Sequence, residues 1–320
     1  MPKFAGPPTT LCPPQWLVPT SKPRRCPPDP RPTFTEKDIK PGSQAGKVFI
    51  VTGAHSGIGL ALLKIIYPSG ATIYLAGRSS AKMDKAISDV AAVSLTATAP
   101  AILKTLHLYI TDLTTVKPAA AVFASQETRL GVLWNNAGVG CPAESLTKQG
   151  LEVHAGANCV APLLFTHELL QLLRATARSP DRTLASVRVV YRLDYAASKA
   201  GNWFLAAEGA RRWGADGIIS VCQNPGNLYT NFHDNEPWLL MLFLKTFILY
   251  ETRYGAYTML FAGLSPLVRE SDNGAYIWPW GRIRPIARAD VLREGIEEGG
   301  KAKAFWEWCE KAWEKHTQGV

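Results

Sequence analysis

The stretch Lys47–Gly59, KVFIVTGAHSGIG, decides the fold. It opens with a short apolar run that ends at Thr52, passes through three glycines, and continues into the apolar run Leu60–Tyr67. Glycines let the backbone turn tightly and approach a pyrophosphate closely, and the start of a helix offers free N–H groups to an anion. The stretch therefore predicts a strand, a phosphate-binding turn and a helix, although a turn without a ligand would show the same local pattern.

The same alternation of short and long segments continues along the chain. Further runs of strand length are Thr72–Ala76, Leu106–Ile110, Val132–Trp134, Val187–Val190 and Ile218–Val221, and the helix-length segments include Pro118–Arg129, Ala161–Arg178 and Ala196–Trp213. Short strands that alternate with longer helices indicate βαβ units. We therefore predict an α/β fold of the Rossmann type, a doubly wound parallel sheet, in a single domain that spans residues 47–320. The segment Ile283–Val320 is predicted to be helical and to pack on this domain.

Residues 1–46 have a different composition from the rest of the chain. They hold 12 of the 23 prolines and show no apolar periodicity, which predicts a disordered, Pro-rich N-terminal arm without secondary structure. Residues 1–47 also contain eight Lys and Arg against three Asp and Glu (8 − 3 = +5), more than half of the net charge of +9. The remaining positive charge is spread out without a basic run, so we expect no nucleic-acid partner.

The cysteines and the longest apolar run bear on the compartment. The six cysteines are scattered, with no CxxC pair and no Cys/His cluster for a metal, so they are expected to be thiols in a reducing compartment. The N-terminus shows no signal-peptide pattern. The run Trp238–Tyr250 is interrupted by Lys245 and is shorter than the ~20 residues of a membrane-spanning helix. These features predict a cytoplasmic protein without a transmembrane segment, and they leave a membrane-surface patch open.

Four further motifs follow the glycine-rich turn in a fixed order: Asp112-Leu113, the NNAG of Asn135–Gly138, the YAASK of Tyr195–Lys199, and the PGNLYT of Pro225–Thr230. Together with TGAHSGIG they resemble the motifs of the short-chain dehydrogenases/reductases, whose fingerprint is TGxxxGxG. The resemblance spans roughly Val48–Trp280. LWNNAG, YAASKAGN and NPGNL look closest to the fungal, retinol-dehydrogenase-like branch of that family.

The resemblance implies a dinucleotide site and an activity. In the family, Asp112 would contact the adenine ring and the PGxxxT segment would receive the nicotinamide end. The implied cofactor-binding residues are Gly53, Ser56, Gly57, Ile58, Gly59, Arg78, Asp112, Asn135, Ala137, Tyr195, Lys199, Leu228 and Thr230. The implied activity is an oxidoreductase that interconverts a carbonyl and an alcohol, by analogy with fungal relatives on a secondary-metabolism intermediate.

The residues after the second predicted strand bear on the choice of cofactor. Members that prefer NAD carry an acidic residue there, which accepts hydrogen bonds from the ribose and repels a 2′-phosphate. This chain reads Ala76-Gly77-Arg78-Ser79, with no carboxylate and with a guanidinium suited to phosphate. NADP(H) is therefore the predicted cofactor. If Arg78 is only a solvated residue after a strand, the preference stays open.

Catalysis is assigned to Tyr195, Lys199 and Asn158 on the resemblance. Tyr195 and Lys199 lie four residues apart and share one face of a predicted helix. Positive charge beside a tyrosine hydroxyl stabilises the phenolate, so Tyr195 would exchange the proton with the carbonyl oxygen, and Lys199 would also hold the nicotinamide ribose. Asn158 matches the asparagine that holds a proton-relay water, and the alternative is a cap for the helix that follows it.

The chain departs from the family just before Tyr195. The family places a carbonyl-polarising serine after the fifth strand, about a dozen residues or more before the tyrosine, whereas only four residues separate Val190 from Tyr195 here. Ser186 precedes the strand and is a poor substitute, so Tyr191, near the end of the strand, is the other suggested source of a catalytic hydroxyl. Losing a positioned donor to a developing oxyanion typically lowers the rate by ~10²–10³. A catalytically silent NADP-binding protein, or an incomplete gene model that lacks the serine loop, is therefore the alternative to an active enzyme.

The substrate side follows the PG motif. Residues 227–250 are predicted to cover the substrate as a lid, and their apolar run favours a lipophilic small molecule. A dimer-contact or core helix is the alternative for this run. The sequence is compatible with a homo-oligomer and leaves the substrate's identity and the direction of reaction open.

Overall fold

One mixed sheet forms the centre of the molecule. The computed structural model describes residues 31–93, 97–140, 145–181, 186–192, 196–228, 250–283 and 300–317. Within these residues eight strands pair in the order β3-β2-β1-β4-β5-β6-β7-β8. Neighbouring strands from β3 to β7 are parallel, and β8 pairs antiparallel with β7. The predicted α/β, doubly wound parallel sheet is confirmed. The strands are β1 Val48–Thr52, β2 Thr72–Gly77, β3 Ile102–His107, β4 Val132–Asn135, β5 Val187–Arg192, β6 Ile218–Gln223, β7 Tyr276–Trp278 and β8 Arg282–Ile283.

Helices cover both faces of the sheet. Alternate residues of β1 enter different cores: Val48 and Ile50 pack on one face, Phe49 and Val51 on the other. A strand buried on both faces reads as a continuous apolar run, which is why β1 was recognisable in the sequence. The helices are α1 Gly57–Ile66, α2 Ser80–Val93, α3 Val116–Gln126, α4 Val153–Ala155, α5 Ala161–Glu168, α6 Leu170–Ala177, α7 Ala196–Trp213, α8 Thr252–Leu264 and α9 Lys301–Thr317.

Two predicted elements differ most from the structure. Strand β3 spans Ile102–His107 instead of Leu106–Ile110, because it is an edge strand in which Lys104, Thr105 and His107 break the apolar run. The predicted helix Ala161–Arg178 is divided into α5 and α6 at Leu169, and the π-helical turn Gly156–Val160 precedes it. Proline 162 has no N–H for the carbonyl of residue 158, so the regular α-helical bonding cannot run through this point.

The predicted disordered arm is wrong for residues 31–46. Thr35–Ile39 form a capped 3-10 turn. Phe34 and Ile39 are buried in the core that α1 and α8 share, and Glu36 forms an ion pair with Arg253 of α8. The Pro-rich composition dominated the prediction, whereas two apolar side chains without periodicity suffice to anchor this segment by burial. Residues 1–30 lie outside the described part of the chain.

Helix α9 packs against α7 with a buried aromatic and apolar face, which agrees with the expected packing element. The members of this face include Phe305, Trp306, Cys309 and Trp313. Among the described residues no helix is both long and apolar enough to span a bilayer.

Candidate active site

The sheet topology brings the sequence motifs to one edge. Strand β1 pairs with β2 on one side and β4 on the other, so the chain changes direction between β1 and β4. In open α/β sheets ligands bind beyond the carboxyl ends of the strands at such a switch point. The glycine-rich turn, the NNAG segment and the residues after β2, β5 and β6 all follow carboxyl ends of neighbouring strands here.

Glycine is needed at each of the three positions of the turn for a different structural reason. Gly53 has φ +68°, and a Cβ there would lie 3.1 Å from Ala137 Cα, so it permits close contact with the NNAG segment. Gly59 packs still more tightly, since a Cβ would lie 2.7 Å from Gly53 O. Gly57 has φ +53°, and no atom lies within 4 Å of the position of its missing Cβ. The open side of Gly57, at the start of α1, therefore fits the approach of a pyrophosphate.

Ser56 and Ile58 flank Gly57 in different environments. Ser56 is the exposed N-cap residue of α1, and its side chain makes no capping hydrogen bond there. Ile58 is buried and contributes to the core against α8. The exposed hydroxyl of Ser56 is thus available at the turn, while Ile58 supports the turn from beneath.

Thr52 joins the glycine-rich turn to the NNAG segment, a role that the sequence analysis missed. Its Oγ1 accepts hydrogen bonds from Asn136 N (2.9 Å) and Ala137 N (2.8 Å), and donates to Trp134 O (3.3 Å). Asn136 Nδ2 also donates to Thr52 O (2.8 Å). The two motifs therefore form one unit. The position of Thr52 directly before the first glycine is the feature of the sequence that could have indicated this role.

The five residues directly after β2, Arg78 to Lys82, include two cations and no carboxylate. Arg78 is exposed, its guanidinium lies 5.6 Å from the ring centroid of Tyr109, and hydrogen bonds from Thr111 and Arg78 lower the pKa of Tyr109. His55 of the glycine-rich turn lies beside Gly77. Burial, together with the charges of Lys82 and Arg78, lowers the pKa of His55 below its ordinary value. The arrangement suits an anion of high charge.

Asp112 lies after the end of β3 and joins the 3-10 turn Leu113–Thr115 to a loop distant in the sequence. Its carboxylate accepts hydrogen bonds from Thr114 N (3.1 Å) and Oγ1 (2.7 Å), from Gln149 Nε2 (2.9 Å), and from Lys148 Nζ (2.7 Å). Burial would raise the pKa of Asp112, but the bonds from Lys148, Thr114 and Gln149 outweigh it and hold that pKa well below the usual range. Its carboxylate thus has protein partners, and the contact with adenine stays a prediction.

Two asparagines end β4 at this edge. Asn135 is buried, its Nδ2 donates to Thr166 Oγ1 (3.1 Å), and its Oδ1 has no described partner. Asn136 Oδ1 accepts from Arg192 Nη1 (3.1 Å) at the end of β5. Arg192 is a cation at the site that the sequence analysis did not consider, because β5 was expected to end at Val190.

Asn158 lies within the π-helical turn and is buried. Its Oδ1 accepts from Val139 N (2.8 Å) and its Nδ2 donates to Val139 O (3.1 Å). The side chain therefore holds the loop after β4 and does not cap α5, so the capping alternative is wrong. These contacts occupy the side chain, so a relay water would have to bind the main-chain carbonyl of Asn158. In a regular α-helix that carbonyl would accept from the N–H of residue 162, and Pro162 has no N–H. The relay role stays a prediction.

The structure describes little of the predicted catalytic pair. Tyr195 is outside the described residues, and of Lys199 the structure describes the helical backbone and not the side chain. Strand β5 runs two residues beyond its predicted end, to Arg192, and α7 begins at Ala196. Three residues, 193–195, thus lie between strand and helix.

The hydroxyl groups near β5 do not lie at the site. Tyr191 is fully buried in the core between α5 and α9, and its hydroxyl is 3.4 Å from Thr166 Oγ1. Burial raises the pKa of Tyr191 above its usual range, so the phenol stays neutral. The suggestion that Tyr191 supplies a catalytic hydroxyl is therefore wrong, since period-two alternation turns its side chain away from the Arg192 side of the sheet. Ser186 is exposed before β5, at the opposite edge, as expected.

An aromatic cluster follows the PG motif. Residues 229–249, which include Thr230 and most of the predicted lid, lie outside the described residues. Leu228 is buried against Gly255, and it pairs with Tyr250 in an isolated parallel bridge. Trp280 lies 4.9 Å from Tyr250 and 5.2 Å from Tyr254 between ring centroids. The ends of the predicted lid therefore meet at an aromatic cluster next to Gly226, whose missing Cβ would contact Trp280. Tyr250 is exposed in this cluster and Trp280 is buried.

Comparisons with known proteins agree with this architecture. A family model described as short chain dehydrogenase matches residues 47–237. The short-chain dehydrogenase/reductase iacJ of Pestalotiopsis fici is 56% identical over 315 residues, which cover 90% of this chain and 96% of the relative. NADPH-bound carbonyl reductase from chicken fatty liver superposes with a TM-score of 0.56 at 20% identity, over 75% of this chain and 99% of that chain. L-Sorbose reductase from Gluconobacter frateurii, complexed with NADPH and L-sorbose, gives a TM-score of 0.60 at 16% identity, over 76% and 98%.

Proposed function

This chain belongs to the short-chain dehydrogenase/reductase family of oxidoreductases, and we propose that it is an NADP(H)-dependent member that interconverts a carbonyl group and an alcohol on a lipophilic small molecule. The observation that carries the proposal is the single edge at which the open side of Gly57, the cation Arg78 and the start of α7 follow neighbouring strands. The fungal relative favours an intermediate of secondary metabolism as the substrate.

The residues present fit a dinucleotide phosphate. The uncovered side of Gly57 and the free N–H groups at the start of α1 suit the pyrophosphate. Arg78 after β2 suits a 2′-phosphate, since a guanidinium matches phosphate geometry and no carboxylate at this point opposes it. The two solved proteins of the same fold that contain NADPH support the same choice.

The proposed chemistry uses two residues of α7 and its connection. A bound NADPH supplies the hydride for the carbonyl carbon. Tyr195 donates its hydroxyl proton to the carbonyl oxygen in reduction and takes it back in oxidation, and Lys199 stabilises the phenolate and holds the ribose. Asn158 keeps the loop after β4 in place through Val139. Oxidation of the alcohol reverses the same transfers.

Polarisation of the carbonyl is the step for which the chain lacks the family's serine. Arg192 ends β5, and its bond to Asn136 holds its guanidinium at the edge of the site. A guanidinium carries five N–H donors and serves more than one acceptor at a time. Arg192 could therefore donate the hydrogen bond to the carbonyl that the missing serine would give, which favours an active enzyme. The short connection of residues 193–195 supports the second candidate, an NADP(H)-binding protein without turnover.

The aromatic cluster at the ends of residues 229–249 favours a lipophilic carbonyl compound as the substrate. Tyr250, Tyr254 and Trp280 lie together beside Gly226. Ligand sites are lined mainly by apolar and aromatic side chains with a few polar groups for orientation. A long-chain aldehyde or ketone is therefore expected to be reduced more efficiently than a short polar one with the same reacting group.

The test is NADPH oxidation by the purified chain with a panel of carbonyl compounds, such as decanal against glyceraldehyde. Tyr195→Phe should abolish turnover, and Tyr191→Phe is the matched control, because it removes a hydroxyl four residues away that lies in the core. NADPH should bind more tightly than NADH, and Arg78→Glu should reverse this order. Turnover that survives Tyr195→Phe would contradict the mechanism, and NADPH binding without turnover by any compound would favour the second candidate.

A further inference from the structure

We propose that Asn202 of α7 is a positioning residue for catalysis, whose hydrogen bond to the end of β5 sets the rotation of α7 and with it the places of Tyr195 and Lys199. The inference rests on the proposed function, in which these two residues carry the proton transfer. It gives a role to a residue that the sequence analysis left without one.

Asn202 joins two elements that meet at the site. Its side chain is buried, and its Nδ2 donates to the main-chain carbonyl of Arg192, the last residue of β5, at 2.7 Å. Residues three or four positions apart share one face of a helix. Asn202 follows Lys199 by three positions, so the bond is made from the face of α7 to which Lys199 belongs.

Apolar contacts hold α7 close to its neighbours without giving it a direction. A Cβ on Gly201 would lie 2.9 Å from the ring of Phe305 and 3.1 Å from Cys159 Sγ, so α7 packs tightly against α9 and the π-helical turn. Apolar burial is not directional, whereas an N–H···O bond weakens steeply when its angle departs from linear. The bond from Asn202 therefore fixes the rotation of α7 relative to β5.

A small rotation of α7 would be large for the chemistry. Side chains extend about 5–6 Å from a helix axis, so a rotation of ~10° moves their ends by ~1 Å. A displacement of ~1 Å at the reacting groups can lower a rate ~10²-fold. The rotation that the bond controls is therefore of the size that matters for proton transfer.

The stability of the fold does not account for an amide at this position. Asn202 Oδ1 is buried and has no partner in the described part of the chain. A buried acceptor without a donor costs at least about as much as one neutral hydrogen bond contributes. The bond from Nδ2 thus adds little net stability, and the position that it gives α7 is the better explanation of the residue.

The partner of Asn202 is itself held from the cofactor side. Arg192 Nη1 donates to Asn136 Oδ1 (3.1 Å), and Asn136 Nδ2 donates to Thr52 O (2.8 Å). Thr52 directly precedes the first glycine of the turn. Through Arg192, Asn202 therefore ties α7 to the unit that is proposed to hold the cofactor.

The test compares Asn202→Leu with Asn273→Leu in the full chain. Leucine is similar in size to asparagine and has no donor. Asn273 is the matched control, because its Nδ2 donates to Ile218 O (3.1 Å) at the start of β6, on the opposite edge of the sheet. With NADPH and decanal, Asn202→Leu should lower kcat about 10²-fold and change NADPH affinity much less. Asn273→Leu should lower the stability in urea and leave kcat near the wild-type value.

The pH dependence is a readout that a loss of stability alone would not move. If Tyr195 is displaced from Lys199, the ammonium stabilises the phenolate less. The pH at which kcat for reduction falls to half should then be higher in Asn202→Leu than in the wild type. The pH midpoint of Tyr195 ionisation, measured as ultraviolet difference absorbance against the Tyr195→Phe variant of the same protein, should rise as well. Both values should stay unchanged in Asn273→Leu.

The outcomes separate this inference from the proposed function. An unchanged kcat and pH dependence in Asn202→Leu would overturn the role of Asn202, and so would an equal fall of kcat in both variants. If the wild type binds NADPH and reduces no compound, the proposed function fails, and the Tyr195 titration decides the inference: a midpoint that Asn202→Leu does not move overturns it. Asn202→Ser, whose side chain is too short for the bond, is the second variant and should show the same changes if the leucine variant does not fold.

Discussion

Replacement of Thr52 by valine tests whether the glycine-rich turn and the NNAG segment form one unit. Valine has nearly the shape of threonine but lacks the hydroxyl that accepts from Asn136 N (2.9 Å) and Ala137 N (2.8 Å). Each buried donor left without an acceptor destabilises by ~1–3 kcal/mol. Asn136 N also donates to Trp134 O (2.9 Å) and keeps that acceptor in the variant, and Ala137 is half-buried, so water compensates part of its loss. We expect Thr52→Val to lower the free energy of unfolding by about 1–3 kcal/mol.

The assay is urea unfolding followed by tryptophan fluorescence, with the circular dichroism signal as a second probe. Thr52→Ser is the matched control, because it retains the hydroxyl and loses one methyl group, for a cost of about 1 kcal/mol. NADPH affinity should weaken in Thr52→Val and stay near the wild-type value in Thr52→Ser. The reasoning is refuted if valine destabilises by less than serine, or if both variants bind NADPH equally well.

Three further predictions use the same site. Gly59→Ala should destabilise the fold strongly and Gly57→Ala less, because a Cβ at Gly59 would meet backbone at 2.7 Å, whereas the space at Gly57 is open and only the backbone strain of its φ of +53° opposes a side chain; equal unfolding midpoints would contradict this. Tyr191→Phe should leave the kcat of an active preparation and its pH profile unchanged, since the hydroxyl lies in the core. A large fall in kcat would show that this hydroxyl takes part in catalysis. Asp112→Asn should be less stable than the wild type near neutral pH. Because the folded-state pKa of Asp112 is depressed, its contribution is complete above about pH 5 and is lost as the pH falls through that low pKa, so the stability difference in urea should shrink in acid.

The fold class and the order of the motifs were predictable because they depend on local patterns. Strands buried on both faces, such as β1, are continuous apolar runs. The edge strand β3 was misplaced because only one of its six residues is buried. Residues 31–46 were misassigned because their few anchoring side chains, Phe34 and Ile39, lack a period, and only the core they contact reveals their role.

Some residues of the candidate site could be named from the sequence, but their contacts could not. The Gly-rich turn, Arg78 and Asn158 could be named from motif positions. The role of Thr52 depends on which residues after another strand lie beside it, namely Asn136 and Ala137, and Arg192 is at the site because it reaches Asn136. Pairing between strands that are distant in the chain sets these neighbours, and no local pattern reports them.

The sequence by itself determined the parallel sheet, the dinucleotide turn and the absence of a carboxylate after β2, because backbone turns and charges follow from residue type at a position. Only the tertiary structure decided that Tyr191 faces the core while Arg192 faces the site, and that Asn158 holds Val139 instead of capping a helix. A shift of β5 by one residue in its pairing register would move each of its side chains to the opposite face of the sheet. The strand's register against β4 and β6 fixes which face each residue takes, and that register is a property of the packed sheet.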